Sequence, residues 1–311
     1  MTIVGAPATS GGVLLAADVT AAAQLACLLE ASAPKPGNVS PGRHFADLRY
    51  EDFLASAAAI GGPLAGAGSR PVGATVRLAV EATACWTRSN TNLGIVLLLV
   101  PLARAALLSS LIDRSTGDAL SLTDLRGAVR RVLEATSVDD ARDVYAAIRH
   151  AAPGGLGRAE AQDVAAEPTM TLLEVMRLAA DRDQIASEYA TAFEVTFETG
   201  APVLDRARRD GLSWDDAVVE TFLTLLAAAS DTHVARRSGA VVAADVSRRA
   251  RAALAAGGVR SASGRRAIDE MDRGLRDARN TANPGTAADL TAAAIFVVLL
   301  GGGWSATRRG L

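Results

Sequence analysis

The feature that most constrains this chain is a strongly apolar run, LGIVLLLVPLARAALLSSL, at residues 93–111. The run has the length of a membrane-spanning helix, but Pro101 and Arg104 lie in its middle, and a guanidinium group is costly in lipid. We therefore predict that it forms a buried central helix of a soluble protein, with the rest of the chain packed around it.

The composition favours helices in the rest of the chain as well. Half of the residues are apolar, but only 4% are aromatic, and the apolar share is mostly alanine, leucine and valine. No run alternates apolar and polar residues for long enough to predict a strand. We predict an all-α fold: a single bundle-like domain of many helices over residues 1–311, whose polar loops converge on one cleft.

The predicted helices share a length and an Ala/Leu/Arg/Glu content typical of packed helices. They cover residues 12–32, 51–60, 72–88, 92–111, 122–134, 138–149, 169–180, 184–209, 213–230, 236–256, 262–280 and 286–301. The glycine- and proline-rich patch between the second and third of these, residues 61–73, is interpreted as a loop.

Charge and cysteine content exclude several classes of protein. A net charge of −2 argues against nucleic-acid or membrane partners bound by bulk electrostatics. Cys27 and Cys85 have no spacing typical of zinc or redox sites, and the start of the chain lacks the basic residues of a signal peptide. We expect a cytoplasmic protein, and its alanine-rich helices favour a homodimer.

The stretch PKPGNVSPGRH contains Lys35, the only lysine, since the other residues of the 32 Lys and Arg are all arginine. Its prolines and glycine stiffen the backbone, so the ammonium would be presented from an ordered loop. With Arg43 nearby it suits a polyphosphate, and Asp47 suits Mg²⁺. The alternative is a solvated loop with incidental charges.

Three further polar stretches interrupt the helices. In SNTNLG, Asn90, Thr91 and Asn92 either cap the apolar helix or help its free N–H groups to bind an anion. In DTHVARRSG, an aspartate lies close to two arginines. These residues form either a cluster that binds a ligand or a salt bridge on the surface. In NPGTAADL, Asp289 precedes an apolar run, so its carboxylate needs a cation: Mg²⁺, an arginine or Lys35.

Standard nucleotide and protease signatures are missing, because GxxxxGK[ST], GxGxxG after a strand, HExxH and GxSxG do not occur. Three histidines and two scattered cysteines make a zinc site a poor fit. Carboxylate, amide and hydroxyl oxygens in the polar stretches indicate magnesium instead.

In this order, the polar stretches resemble the triphosphoribosyl-dephospho-CoA synthase family over about residues 26–300. That family has a KPG motif, a G-x-H and D-x-x-x-x-x-F segment, an NTHKG turn, a glycine-rich loop, a DT…R.G element and NPGGSADLLA. The counterparts here are Lys35-Pro36-Gly37, Gly42-Arg43-His44, Asp47 through Phe53, Asn90 through Gly94, Gly154 to Arg158, Asp231-Thr232 with Arg236 to Gly239, and Asn283 through Leu290.

The resemblance implies an all-α enzyme that moves the 5-triphosphoribosyl group of ATP onto the 2′-hydroxyl of 3′-dephospho-CoA and releases adenine. It implies phosphate or nucleotide contacts from Lys35, Gly37, Arg43, Asn90, Thr91, Asn92, Arg236, Arg237, Asn283 and Gly285. Magnesium would be held by Asp47, Asp231 and Asp289. Catalytic roles would fall to His44, Asp47 and Asp231.

One departure from the family pattern leaves alternatives open. The family's NTHKG is NTNLG here, so Asn92 and Leu93 replace a histidine and a lysine, and a leucine cannot contact phosphate as an ammonium does. One alternative is a related ATP-dependent transferase that modifies another coenzyme precursor, of the methanopterin or methylofuran type. A second is a non-catalytic helical protein that binds a nucleotide.

Overall fold

The computed structural model describes residues 14–112, 121–277 and 280–304. Across these ranges the secondary structure is helical, with no named strand and only the isolated bridges Ser40–Arg43 and Phe45–Leu48. The predicted all-α fold is confirmed.

The helices follow one another along the chain with short connections. They are α1 (Ala16–Ser32), α2 (Tyr50–Ala59), α3 (Gly61–Ala65), α4 (Val72–Ala84), α5 (Leu93–Ile112), α6 (Leu122–Glu134), α7 (Val138–Ala151), α8 (Leu172–Ala179), α9 (Gln184–Thr191), α10 (Ala201–Arg209), α11 (Trp214–Ala228), α12 (Thr232–Ser238), α13 (Ala240–Ala255), α14 (Ala262–Leu275) and α15 (Gly285–Leu300). A π-helical turn, Thr196–Gly200, precedes α10, and a 3₁₀ turn, Gly258–Arg260, precedes α14.

The core is built around α5 and α15, which pack against each other and against α1. Leu98 and Leu99 of α5 and Ile295 and Phe296 of α15 are fully buried, as expected of helices that are apolar on all sides. The predicted central helix is therefore present as α5. Arg104 donates hydrogen bonds to backbone carbonyls on the α3–α4 connection. Among the described residues, no helix combines the length and hydropathy needed to cross a membrane.

The predicted helix over 184–209 is wrong in its middle. α9 ends at Thr191, and Ala192 and Phe193 adopt left-handed backbone conformations. The buried Glu188 carboxylate accepts N–H hydrogen bonds from Val195 (2.9 Å) and Thr196 (3.0 Å). A side chain thus satisfies the backbone groups that a continuous helix would have paired internally.

Other predicted boundaries also differ. The predicted helix over 236–256 divides into α12 and α13 at Gly239, whose φ of 87° a helix interior does not accommodate. The predicted loop over 61–73 contains α3. Residues 12–13 and 278–279 of two predicted helices lie outside the described residues.

Candidate functional site

The starts of four helices, α5, α9, α12 and α15, come together in the interior. The carboxylate of Asp231 joins two of them, because it accepts hydrogen bonds from the N–H of Val234 in α12 (3.0 Å) and of Ala287 in α15 (2.8 Å). Asp231 is fully buried. It therefore caps one helix and fixes the start of another, through a residue that lies 56 positions further along the chain.

Hydrogen bonds between backbone N–H groups and three side chains attach the start of α9 to the starts of α12 and α15. The hydroxyl of Thr232 accepts a hydrogen bond from the N–H of Gln184 (3.3 Å), and the N–H of Thr232 donates to Gln184 Oε1 (3.2 Å). The hydroxyl of Thr286 accepts from the N–H of His233 (3.1 Å). The three helix starts are consequently fixed relative to one another.

The start of α5 meets α15 at Gly94. A Cβ atom at this position would lie 2.0 Å from Oδ2 of Asp289 and 2.7 Å from Cδ1 of Ile185. Glycine is required there because no side chain fits in the space that the Asp289 carboxylate occupies. The carboxylate is thereby held against the first turn of α5, whose N–H of Leu93 donates to Asn90 Oδ1 (3.1 Å).

A cavity of about 310 Å³ opens above these helix starts. Its inner end, which we call the floor, is formed by Asp289, His233 and Arg236, next to Gly94. An apolar wall comes from α7 and α8 and includes Ile148, Val175 and Met176. At the outer end Arg158 and Arg182 are exposed, and we call this arginine pair the rim.

Asp289 is the acid of the floor, and its charge has fewer compensating contacts than the charges of the acids nearby. Desolvation and the nearby charge of Glu30, followed by that of Asp231, raise the pKa of Asp289 well above its ordinary value, while Arg236 acts in the opposite direction. Within the described residues, no group donates a hydrogen bond or forms an ion pair with this carboxylate. Its oxygens are therefore available to a ligand.

His233 is held in its neutral form. Burial, and then the charges of Arg236 and Arg237, lower the pKa of His233 to about 4. Its ring lies over Gly285, where an added Cβ would be 3.1 Å from the ring Cγ. The Nε2 atom is buried and has no hydrogen-bond partner among the described residues. An imidazole nitrogen without a partner inside a protein calls for a functional explanation.

The remaining acids near the floor have their oxygens engaged. Arg236 Nη1 pairs with Asp183 Oδ2 at 2.5 Å, and the other oxygen of Asp183 caps α9. Burial raises the pKa of Asp231 to about 6, although both of its oxygens accept backbone hydrogen bonds. Across the residues that the structure describes, no three His, Cys, Asp or Glu side chains are arranged to hold a metal ion.

A glycine-rich loop forms the outer side of the cavity. Gly155, with φ of 76°, lies so close to α12 that a Cβ atom there would be 2.7 Å from the carbonyl oxygen of Arg236. Asp163 accepts hydrogen bonds from the N–H of Ala159 (2.6 Å) and Ala165 (2.9 Å), which lower the pKa of Asp163. Tyr145 Oη donates to the carbonyl of Gln162 (2.5 Å). The loop is thus fixed at several points.

Of the residues singled out from sequence, Asn90, Arg236 and Asp289 line the cavity. Lys35 does not. It is 1% exposed, and its ammonium lies 2.9 Å from Glu30 Oε1 and donates to the carbonyl oxygens of Glu30 and Ala33. The structure therefore places the single lysine in a buried ion pair behind the floor rather than at the cavity surface.

The loop that follows Lys35 packs on the end of α14. The N–H of Gly37 donates to Asp272 Oδ1 (2.8 Å), and Arg43 Nη1 lies 3.2 Å from Asp272 Oδ2. Asn283 Oδ1 accepts from Asn38 Nδ2 (2.9 Å). Gly37, Arg43 and Asn283 consequently form a separate cluster, outside the residues that line the cavity.

Other predicted site residues also lie apart from the cavity. His44, Asp47 and Arg237 are exposed. Thr91 shares a hydrogen bond with Ser56 (2.5 Å), and Asn92 donates to Thr83 Oγ1 (3.0 Å), so both side chains are used in packing. Gly285 lies beneath the His233 ring and Asp231 beneath the floor.

Four residues of this region were not predicted as site candidates: Glu30, Arg182, His233 and Arg158, of which Arg158 was noted only as the end of the glycine-rich loop. His233 stands inside the DTHVARRSG stretch, directly after the two residues that were selected. The feature that could have indicated His233 is its position in the first turn of a helix whose start is buried. Arg158 ends the glycine-rich loop, whereas Glu30 and Arg182 belong to no recognisable pattern.

Comparison with known proteins assigns the chain to a family. A sequence model of the CitG family, described as ATP:dephospho-CoA triphosphoribosyl transferase, matches residues 16–308. The chain belongs to this family. The resemblance inferred from the order of the polar stretches is thereby confirmed, and the CitG family is one of transferases.

Individual relatives agree with this membership. A crystal structure assigned as a triphosphoribosyl-dephospho-CoA synthase from Archaeoglobus fulgidus aligns with a TM-score of 0.62 and 30% identity, covering 82% of this chain and 99% of that one. Proteins assigned as triphosphoribosyl-dephosphocoenzyme-A synthases are 43% identical over 109 residues in Pseudomonas paraeruginosa and 40% over 105 residues in Pseudomonas putida. These matches cover 34% of this chain and 36% and 37% of those relatives, so the aligned part spans about a third of them.

Proposed function

We propose that this member of the CitG family transfers the 5-triphosphoribosyl group of ATP to the 2′-hydroxyl of 3′-dephospho-CoA and releases adenine. The observation that carries the proposal is the floor, where a carboxylate with free oxygens, a neutral imidazole and an arginine share one cavity. These groups suit a reaction at a sugar carbon, in which negative phosphates are held and positive charge develops on the ribose.

The bonds that change define what the floor must do. The acceptor oxygen forms a bond to C1′ of the ATP ribose, and the bond from C1′ to N9 of adenine breaks with its electron pair remaining on adenine. The hydroxyl proton leaves the acceptor and ends on the departing base. The triphosphate stays attached to the transferred sugar, so Arg236 and the Asn90-capped start of α5 would position it.

Magnesium fits the floor as a companion of the triphosphate. Mg²⁺ is usually bound by one or two carboxylates together with substrate phosphates and water, which needs no cage of protein ligands. Asp289 supplies one such carboxylate, while Asp231 and Asp183 are already engaged. When bound, the ion would neutralise phosphate charge and stabilise the ionised form of Asp289.

His233 is the residue that we propose as acceptor of the hydroxyl proton. It is neutral at physiological pH, and its Nε2 atom has no partner among the described residues. A bound triphosphate would raise the pKa of His233, because nearby negative charge favours the imidazolium form. The proton would then pass to adenine as the glycosidic bond breaks.

The His233→Asn variant is expected to lower kcat by about 10²-fold with little change in the KM for ATP, as loss of a proton acceptor implies. In the kcat–pH profile, the part of the acidic limb that comes from protonation of His233 should also disappear, while the part that comes from Asp289, whose pKa is raised, should remain. Steady-state assays across pH 5 to 9 check both effects, with His150→Asn on the exposed end of α7 as the matched control. An unchanged profile would assign the proton to another group.

The proposed reaction also bears on where the protein is expected to act. An enzyme that uses ATP and a coenzyme precursor is expected in the cytoplasm, and the two cysteines are free thiols, with Cys27 buried and Cys85 exposed. A homodimer remains our expectation from the alanine-rich helices.

The reaction is tested by incubating purified protein with ATP, Mg²⁺ and dephospho-CoA and following free adenine and the coupled product by chromatography. We expect adenine and the product to form in equal amounts. Adenine that appears only with another coenzyme precursor would indicate a different acceptor. ATP binding without adenine release from any acceptor would indicate a non-catalytic nucleotide-binding protein.

A further inference from the structure

The cavity carries positive charge in two separate places. On the floor, Arg236 pairs with Asp183 and is among the charges that act on Asp231 and Asp289. The two rim arginines act on a different group, Asp163. The charges that most affect Asp289 include Arg236 but not the rim pair. The floor and the rim are therefore distinct electrostatic positions within one cavity.

The side chains of the rim arginines form no hydrogen bond or ion pair with the described part of the protein, although their charges act on Asp163. Arg158 and Arg182 are exposed, and neither side chain forms a hydrogen bond or ion pair with any residue that the structure describes. Arg236, by contrast, is bound to Asp183. A guanidinium that lines a cavity and has no hydrogen-bond partner can donate two parallel hydrogen bonds to a phosphate group.

The backbone that presents the rim is ordered. Asp163 accepts a hydrogen bond from the N–H of Ala159, the residue directly after Arg158. The N–H of Arg182 donates to the carbonyl of Ala179 (3.0 Å), and the next residue, Asp183, caps α9. Because both backbones are already fixed, an anion bound at the rim orders only side chains.

The apolar wall lies between α7 and α8 next to the rim. Ile148 of α7 and Val175 and Met176 of α8 line it. The rim side of the cavity thus offers cations and, beside them, a surface for a flexible, mostly uncharged chain. A ligand with a phosphate group joined to such a chain matches both features.

We infer that Arg158 and Arg182 bind the diphosphate bridge of the acceptor, while the floor binds the triphosphate of ATP. The inference rests on the proposed function, because a reaction between two nucleotides requires two polyanions in one cavity with their sugars in contact. Separate cationic positions keep the two phosphate chains apart, where their mutual repulsion is smaller. The apolar wall receives the pantetheine chain that extends from the diphosphate.

Calorimetric titration with ATP and with dephospho-CoA tests this division. For Arg158→Ala, Arg182→Ala and the double variant, we expect the Kd for dephospho-CoA to rise about 10- to 100-fold, the range for loss of charged hydrogen bonds. The Kd for ATP should change by less than about threefold. Arg158→Lys and Arg182→Lys should retain part of the affinity, because charge remains but bidentate geometry is lost.

Arg177→Ala is the matched control, since Arg177 is an exposed arginine of α8 that does not line the cavity. Weakened ATP binding with unchanged dephospho-CoA binding would overturn the inference, and so would unchanged binding of both. Adenine release by the wild type, measured in parallel, tests the proposed function separately. If the wild type binds dephospho-CoA through the rim but releases no adenine, the inferred binding site is retained and the proposed transferase function is wrong.

Discussion

Replacing Asp289 by asparagine is expected to lower kcat for adenine release by about 10³- to 10⁴-fold. Asp289 is the floor carboxylate whose oxygens no described residue occupies, and an amide of the same shape cannot bind Mg²⁺ or stabilise a cationic sugar in the same way. Adenine release followed by chromatography measures the loss. Asp269→Asn, on the exposed face of α14, is the matched control and should retain wild-type activity.

The same substitution is expected to leave the fold intact or make it more stable. Because the folded-state pKa of Asp289 is raised, the carboxyl group stabilises the fold while protonated, and this contribution is lost as the pH rises above the ordinary carboxyl range. Without nucleotide and magnesium, the Tm of Asp289→Asn should equal or exceed that of the wild type at pH 7.5. The difference should shrink at pH 4. Activity within tenfold of the wild type would remove Asp289 from the reaction.

Replacing Lys35 by methionine is expected to lower the free energy of unfolding by about 3–5 kcal/mol, the range for removing one partner of a buried ion pair. Glu30 is 3% exposed, and without the ammonium at 2.9 Å its carboxylate is left buried and unpaired. The double variant Glu30→Leu/Lys35→Met should recover most of the loss, because it removes both charges. Urea denaturation of the single and double variants measures the coupling.

The Lys35 variants also decide between a structural and a nucleotide-binding lysine. If the ammonium serves only Glu30, the folded double variant should bind ATP within about threefold of the wild type. A lysine that contacts phosphate predicts a loss of ATP affinity that the second substitution does not restore. Arg209→Met, which breaks an exposed pair with Asp205, is the control and should change stability far less.

The presence of most helices could be predicted because it depends on composition and on local helix-breaking residues. Alanine and leucine favour helices wherever they are dense, and this is why α5 and α15 were found close to their observed bounds. The interruption after α9 could not be predicted in this way. It depends on Glu188, whose buried carboxylate accepts the N–H groups of Val195 and Thr196, and a glutamate inside an alanine-rich segment is ordinarily an exposed helix former.

The candidate site was predictable where a residue conflicted with its surroundings. Asp289 precedes an apolar run, so the cost of burying its charge indicated a partner cation. The carboxylate lines the cavity and forms no ion pair with the residues that the structure describes. Lys35 conflicted with its surroundings in the same way, but its partner proved to be Glu30 in the preceding helix turn rather than a ligand. An ion pair with Glu30 and a contact with an anionic ligand would both neutralise the ammonium of Lys35, and sequence spacing does not distinguish the two. The rim arginines offered no such conflict, because exposed arginines are common.

The link that Asp231 makes between α12 and α15 has a consequence for folding during synthesis on the ribosome. A nascent chain that has not yet released α15 lacks Asp289, leaves one oxygen of Asp231 without its backbone donor, and leaves uncovered the faces of α1 and α5 that pack on α15. The proposed activity should therefore require that α15 has left the ribosome. Cleavage that removes α15 should abolish the proposed activity in one step, with no partially active fragment.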